Sequence, residues 1–123
     1  MSKILKIALL SFGLIASQTA FSAVVSYKCN VTEVREIDID NNHARTHILC
    51  ANPVTDGLDQ VYFFALSLKS TPLKALGLLN LGTAAFTSGN QIEVWFNQGD
   101  VSGNSFGCGA INCRVPVNVN ISK

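Results

Sequence analysis

One segment of this chain is patterned for a helix, and almost every other apolar stretch after residue 23 alternates with the period of two that a strand imposes. The last stretch is the plainest. Val115, Val117, Val119 and Ile121 alternate with Pro116, Asn118, Asn120 and Ser122, and Pro116 belongs at the strand's start or on an edge because it has no N–H to donate. Gln91 to Asn97 repeats the pattern, with Ile92, Val94 and Phe96 on one face and Glu93 and Trp95 on the other. The helical segment carries its own punctuation. Thr71 can cap it, Pro72 suits the first helical position, and Gly89-Asn90 suits the stop. Leu73, Leu76, Leu79 and Phe86 fall near one stripe, with Leu78, Leu81 and Ala85 beside it. Gly77 and Gly82 lower helix propensity by about 1 kcal/mol each and predict close approach to another surface.

The amino-terminal half is read the same way. Val25, Tyr27, Cys29 and Val31 share a parity that returns at Ile37 and Ile39, so a single long strand with a bulge or bend near Val34 is expected. Asp40-Asn41-Asn42-His43 is turn chemistry and closes a hairpin onto a second strand, Arg45 to Ala51. Asn52-Pro53 and Asp56-Gly57 mark a loop. Val61 to Leu68 is apolar on both faces, which predicts a central strand covered on both sides. A Gly-rich loop, Gly99 to Gly109, precedes the last strand. The order β-β-β-α-β-β, with a long bent first strand, predicts a mainly β domain with one helix, an OB-type five-stranded small barrel.

Residues 1–22 read as a secretory signal peptide. Lys3 and Lys6 make a basic start, Ile7 to Ala16 is an uncharged apolar run, and small residues precede a cleavage point between Ser22 and Ala23. Residues 23–123 then form one domain of about 100 residues, enough for a single modest core. No later apolar stretch reaches the roughly 18 residues of a membrane anchor. Without Lys3 and Lys6 the chain has seven basic residues against eight acids, so the net charge falls from +1 to −1. A near-neutral domain lacks the footprint of a nucleic-acid binder. Four cysteines in an exported chain predict two disulfides. Four cysteines allow three pairings. Spacing favours Cys108 with Cys113 and Cys29 with Cys50.

Neither zinc-ligand spacing nor a calcium loop is present. His43 stands where the turn glycine of a calcium loop belongs and Leu49 where its bidentate glutamate belongs. His43 and His47 lie four apart, on one face of a strand, and read as exposed hairpin residues rather than half a metal site. No cofactor is implied. No nucleophile elbow, zinc-protease motif or phosphate loop occurs, and the reading is a non-enzymatic protein; Asp56, Asp100 and the two histidines are the groups that could only converge in space. Trp95 lies on the polar side of its strand, near Asn97 and Asp100. There it suits stacking on a sugar or packing on a partner, unless the helix or a loop covers it. Asn30-Val31-Thr32 and Asn120-Ile121-Ser122 are sequons that matter only in a glycosylating host.

Several segments together resemble the subtilase-cytotoxin B-subunit family, bacterial pentameric toxin binding subunits. They are Phe21-Ser22-Ala23-Val24-Val25, Ile48-Leu49-Cys50, the helix Ala75-Leu76-Gly77-Leu78-Leu79 through Ala84-Ala85-Phe86, Ser88-Gly89-Asn90-Gln91-Ile92-Glu93-Val94-Trp95, and the late cysteine pair. The resemblance implies an OB-fold, a homopentamer, a host glycan as ligand and a toxin A subunit as partner. The family's sugar-contacting serine and aspartate have no counterpart here, so no glycan-contacting residue is carried over. The resulting expectation is a secreted or periplasmic binding module. The alternative is an envelope structural or protein-interaction protein of the same fold. Surplus apolar surface on the helix and on Val61 to Leu68 independently predicts a homo-oligomer.

Overall fold

A computed structural model describes residues 23–122. Residues 1–22, where a signal segment is expected, lie outside the described residues, and with them Ser22 of the expected cleavage pair. Among the described residues seven strands and one α-helix follow in the order β1 (Val24–Cys29), β2 (Val31–Asp38), β3 (Ala44–Asp56), β4 (Asp59–Ser67), α1 (Pro72–Ser88), β5 (Gln91–Asn97), a 3-10 turn (Ser102–Phe106), β6 (Cys113–Arg114) and β7 (Pro116–Ser122). They form two sheets, β1-β5-β7 and β2-β3-β4-β6. All pairings are antiparallel except β4 with β6. The architecture is therefore mainly β with one helix, and its ladders make two sheets rather than one closed barrel.

The inward residues of both sheets meet in one core. Ile48, Val61, Phe64, Ile92, Val94 and Phe96 are fully buried there. Phe64 lies at its centre, with ring centroids 6.4 Å from Tyr27 and 5.4 Å from Phe96. Cys29 of one sheet is bonded to Cys50 of the other, and Cys108 to Cys113 at the foot of the late loop. This is the pairing that spacing favours.

The break in the first strand lies earlier than expected. The chain leaves one sheet at Asn30 and enters the other, with the bulge between Val31 and Glu33. Asn30 still accepts a hydrogen bond from Ala51 N at 2.9 Å. Val34 is apolar because it pairs with Ile48 and packs under the helix, not because it marks the bend.

A second difference concerns Asn52-Pro53, which lies inside β3. The β3–β4 register shifts between Leu49 and Val54, so Pro53 falls where the ladder is already broken and its missing N–H costs nothing. Tyr27 Oη donates to the Asn52 carbonyl there. The connection to β4 is only Gly57-Leu58, with Gly57 at φ +62°. In β4, cover on both faces holds for Phe64 to Ser67, whereas Tyr62 is exposed.

The helix begins at Pro72 and ends at Gly89 (φ 75°), whose N–H returns to Ala85 O at 3.0 Å. Thr71 caps no amide; its hydroxyl donates to Ser67 O at 3.0 Å. The buried face is Ala75, Leu78, Gly82 and Ala85, a stripe of mostly small residues. Gly82 makes the close approach expected of it, since an added Cβ would lie 2.9 Å from Ile48 Cγ2. Gly77 does not; nothing lies within 4 Å of its Cβ position. Leu73, Leu76 and Phe86 stay outside, at 83, 51 and 55% exposure.

Candidate functional site

The outer face of the three-stranded sheet is the candidate binding surface. Ile92, Val94 and Phe96 commit the inner face of β5 to the core, which turns Glu93, Trp95 and Asn97 outward. Trp95 stands opposite Ser26 of β1 and Asn118 of β7. One step along, Glu93 faces Lys28 and Asn120. Cross-strand neighbours of this kind stand about 5 Å apart at Cβ. A half-buried indole thus sits mid-sheet, framed by hydroxyl, amide and charged groups. The β5–β7 register shifts between Trp95 and Phe96, and such a bulge re-aims the neighbouring side chains.

Of the three residues singled out with it, Asn97 shares Trp95's face and stands opposite Val24. Asp100 does not join them as a free carboxylate. It follows the turn in which its own N–H reaches Asn97 O, and its Oδ1 accepts from Ser102 N at 2.9 Å, fixing the 3-10 turn.

The other polar groups are engaged separately. His43 pairs with Asp40 across the hairpin turn at 2.9 Å, in the exposed position expected. His47 differs: it is only 7% exposed, with its ring edge-on to Phe63 at 5.2 Å. The reading of both histidines as exposed hairpin residues therefore fails for His47, because the late disulfide loop covers β4 beside it. Asp56 is taken by Arg114, so Asp56, Asp100 and the histidines do not converge. Among the described residues no group of three or more His, Cys, Asp or Glu could hold a metal ion.

Arg114 is the residue that sequence reasoning missed. It is 1% exposed, yet every nitrogen of its fork is used. Nε donates to Asp56 at 2.6 Å and Nη2 to Asp59 at 2.7 Å, while Nη1 donates to the carbonyls of Ala110 and Cys113. Burial pulls its pKa down, but the two carboxylates outweigh that and hold it above the ordinary value. The signal was the spacing Asp56-Gly57-Leu58-Asp59, which places two carboxylates across a two-residue turn.

No known family, no curated protein and no solved structure matches this chain. Among the described residues no helix is long and apolar enough to cross a membrane.

Proposed function

We propose that this protein is an exported, non-enzymatic binding module that presents the outer face of its three-stranded sheet to a sugar, in the manner of the glycan-binding subunit of a bacterial AB-type toxin. The observation that carries this reading is Trp95, half-buried in the middle of a face that also carries Ser26, Lys28, Glu93, Asn97, Asn118 and Asn120, with Val24 at its edge. An aromatic plane supplies the apolar contact for a pyranose, and the amides and hydroxyl around it supply directional hydrogen bonds. Two disulfides fit a life in an oxidising compartment.

The OB-type barrel belongs to the same proposal. Counting β1 and β2 as one strand bent at Asn30, and β6 and β7 as one strand interrupted at Val115, leaves five strands with the helix between the third and fourth. The parallel β4–β6 pairing then brings the third strand beside the fifth. A homo-oligomer, pentameric by the resemblance, uses the exposed helix face as its subunit contact, and a toxin A subunit is the partner the resemblance implies. Exposed Leu73, Leu76 and Phe86 also favour a second reading, an envelope protein that meets only protein partners.

A glycan array of the mature, oxidised protein separates the two. Binding that disappears in Trp95→Ala, with the oligomer intact, supports the sugar-binding module. Absence of any hit for a verified oligomer, or a Trp95→Ala variant that changes only assembly, supports the protein-interaction reading.

A further inference from the structure

On the opposite side of the molecule, a cleft of about 280 Å³ opens between the outer face of the four-stranded sheet and the late disulfide loop. Arg45 and His47 of β3, Phe63 of β4, and Gly107 and Asn112 of the loop line it. No acid lines it.

Arg45 is held there without a counter-charge. Among the described residues no carboxylate lies within ion-pair distance of it; on β2, the strand beside it, Glu33 pairs with Arg35 and Asp38 with Lys69. Among the described residues the Arg45 guanidinium has one hydrogen bond, from Nη1 to Phe106 O at 3.5 Å, the long limit of such a contact. Burial alone lowers its pKa, with no carboxylate acting against it. A partly desolvated cation that no protein group compensates is costly unless something else supplies the compensation.

The loop is shaped around that guanidinium. Gly107 has φ +93°, a backbone conformation that favours glycine, and the Arg45 guanidinium lies directly against its Cα, in the space a side chain would take. Behind Arg45, His47 is buried, and its Nε2 has no hydrogen-bond partner, with Glu33 Oε1 at 3.6 Å. Asn112 is fixed by its carbonyl, which accepts from both Tyr62 N and Phe63 N at 3.0 Å.

We propose that this cleft binds a small oxyanion, a carboxylate, sulfate or phosphate group, with Arg45 as the cationic anchor. The planar guanidinium offers parallel N–H donors to two oxygens of one such group. Asn112 borders the group on the loop side, and Phe63 provides an apolar wall for whatever carries it. The site is independent of the Trp95 face, which lies on the other sheet.

The test is NMR titration of the mature, oxidised protein with acetate, sulfate and phosphate separately, against chloride at matched ionic strength. The signals followed are the Arg45 Nε–H and the amides of Gly107 and Gly109. At least one oxyanion should give saturable shifts, with a dissociation constant on the order of millimolar, and chloride should not. The saturating anion identifies the class, and the shifts should persist in Trp95→Ala. Arg45→Gln should weaken binding by about tenfold or more, and Arg45→Lys, which keeps the charge without the fork, should fall between. Linear, chloride-like shifts with all three oxyanions overturn the proposal, as does unchanged saturation in a folded Arg45→Gln. Should Arg45→Gln fail to fold, the comparison of oxyanions with chloride on the unaltered protein decides alone.

Discussion

Arg114 Nε lies 2.6 Å from Asp56 Oδ2, and the two side chains are 1% and 4% exposed, so an ion pair is sealed where the β3–β4 hairpin meets the late loop. The same Asp56 oxygen accepts from Gly99 N at 2.8 Å, which ties in the segment after β5. One carboxylate thus fixes three otherwise separate parts of the chain.

Removing a single partner of this pair should be severe. Asp56→Ala leaves a buried guanidinium with half its carboxylate partners gone and an orphaned Gly99 N–H, a loss of about 3–5 kcal/mol. Asp59 is 30% exposed, so solvent compensates for its loss and Asp59→Ala should cost well under half as much. Urea denaturation of the two variants, with the disulfides intact, checks the ranking. Equal effects would mean that Asp56 is not the member that matters.

The two helix glycines should respond oppositely to the same change. At Gly82 a methyl would meet Ile48 Cγ2 at 2.9 Å and Val34 Cγ2 at 3.2 Å, both branched side chains of a packed sheet, so Gly82→Ala should cost about 1–3 kcal/mol by overpacking. At Gly77 nothing is met, and Gly77→Ala should gain up to about 1 kcal/mol in helix propensity. Thermal melts of both variants test this. Stabilisation by both would show that the helix can ride away from β2 and β3.

This pair also shows what the sequence could and could not say. Both glycines are equally conspicuous in the chain, but only the rotation of α1 about its axis decides which one faces the sheet. The apolar pattern leaves that rotation open: Leu73, Leu76, Leu79 and Phe86 make one stripe with Leu78, Leu81 and Ala85 beside it, and the face that is buried is Ala75, Leu78, Gly82 and Ala85, mostly small residues that let the helix lie close to the sheet. Strands with strict alternation, β5 above all, were legible because one face must be buried. The split at Asn30 and the bulge at Asn52-Pro53 were not, since each depends on which neighbour the strand meets. Trp95 could be placed on its face by parity alone. Arg114 and Arg45 could not be assigned, because their partners are 58 and 61 residues away.

His47 predicts an acid-side loss of stability. Burial lowers its pKa below the ordinary 6.5; Arg45 beside it on β3 and Arg35 on β2 act in the same direction, and Glu33 on β2 acts against them. Below about 6.5 the unfolded chain therefore binds a proton at this position that the folded chain resists. Stability is fully present above that pH and declines as pH falls towards the lowered folded value. His47→Gln should remove this slope while carboxylate contributions remain. Urea denaturation of both proteins between neutral and mildly acidic pH supplies the difference, and a difference that does not change with pH would show that His47 titrates normally.

The final prediction concerns assembly. Because Gly82 and Ala85 hold one side of α1 against the sheet, Leu73, Leu76 and Phe86 are directed away from it, at 83, 51 and 55% exposure. Lys74 is the only charge on the helix, so little opposes association along this side. Beside it, between α1 and β7, a mostly apolar groove lined by Leu78, Leu81, Pro116 and Val117, with Lys74 and Asn118 also lining it, continues the surface. An exposed patch of this kind is a liability unless another subunit covers it. Light scattering of the mature, oxidised protein at micromolar concentration should therefore give a mass above the monomer's. Leu73→Glu combined with Phe86→Glu should return it to the monomer while changing subunit stability by only about 0.5 kcal/mol, since neither side chain is part of the core. A monomer before the substitutions would refute assembly through this face, and an oligomer that survives both would place the contact elsewhere.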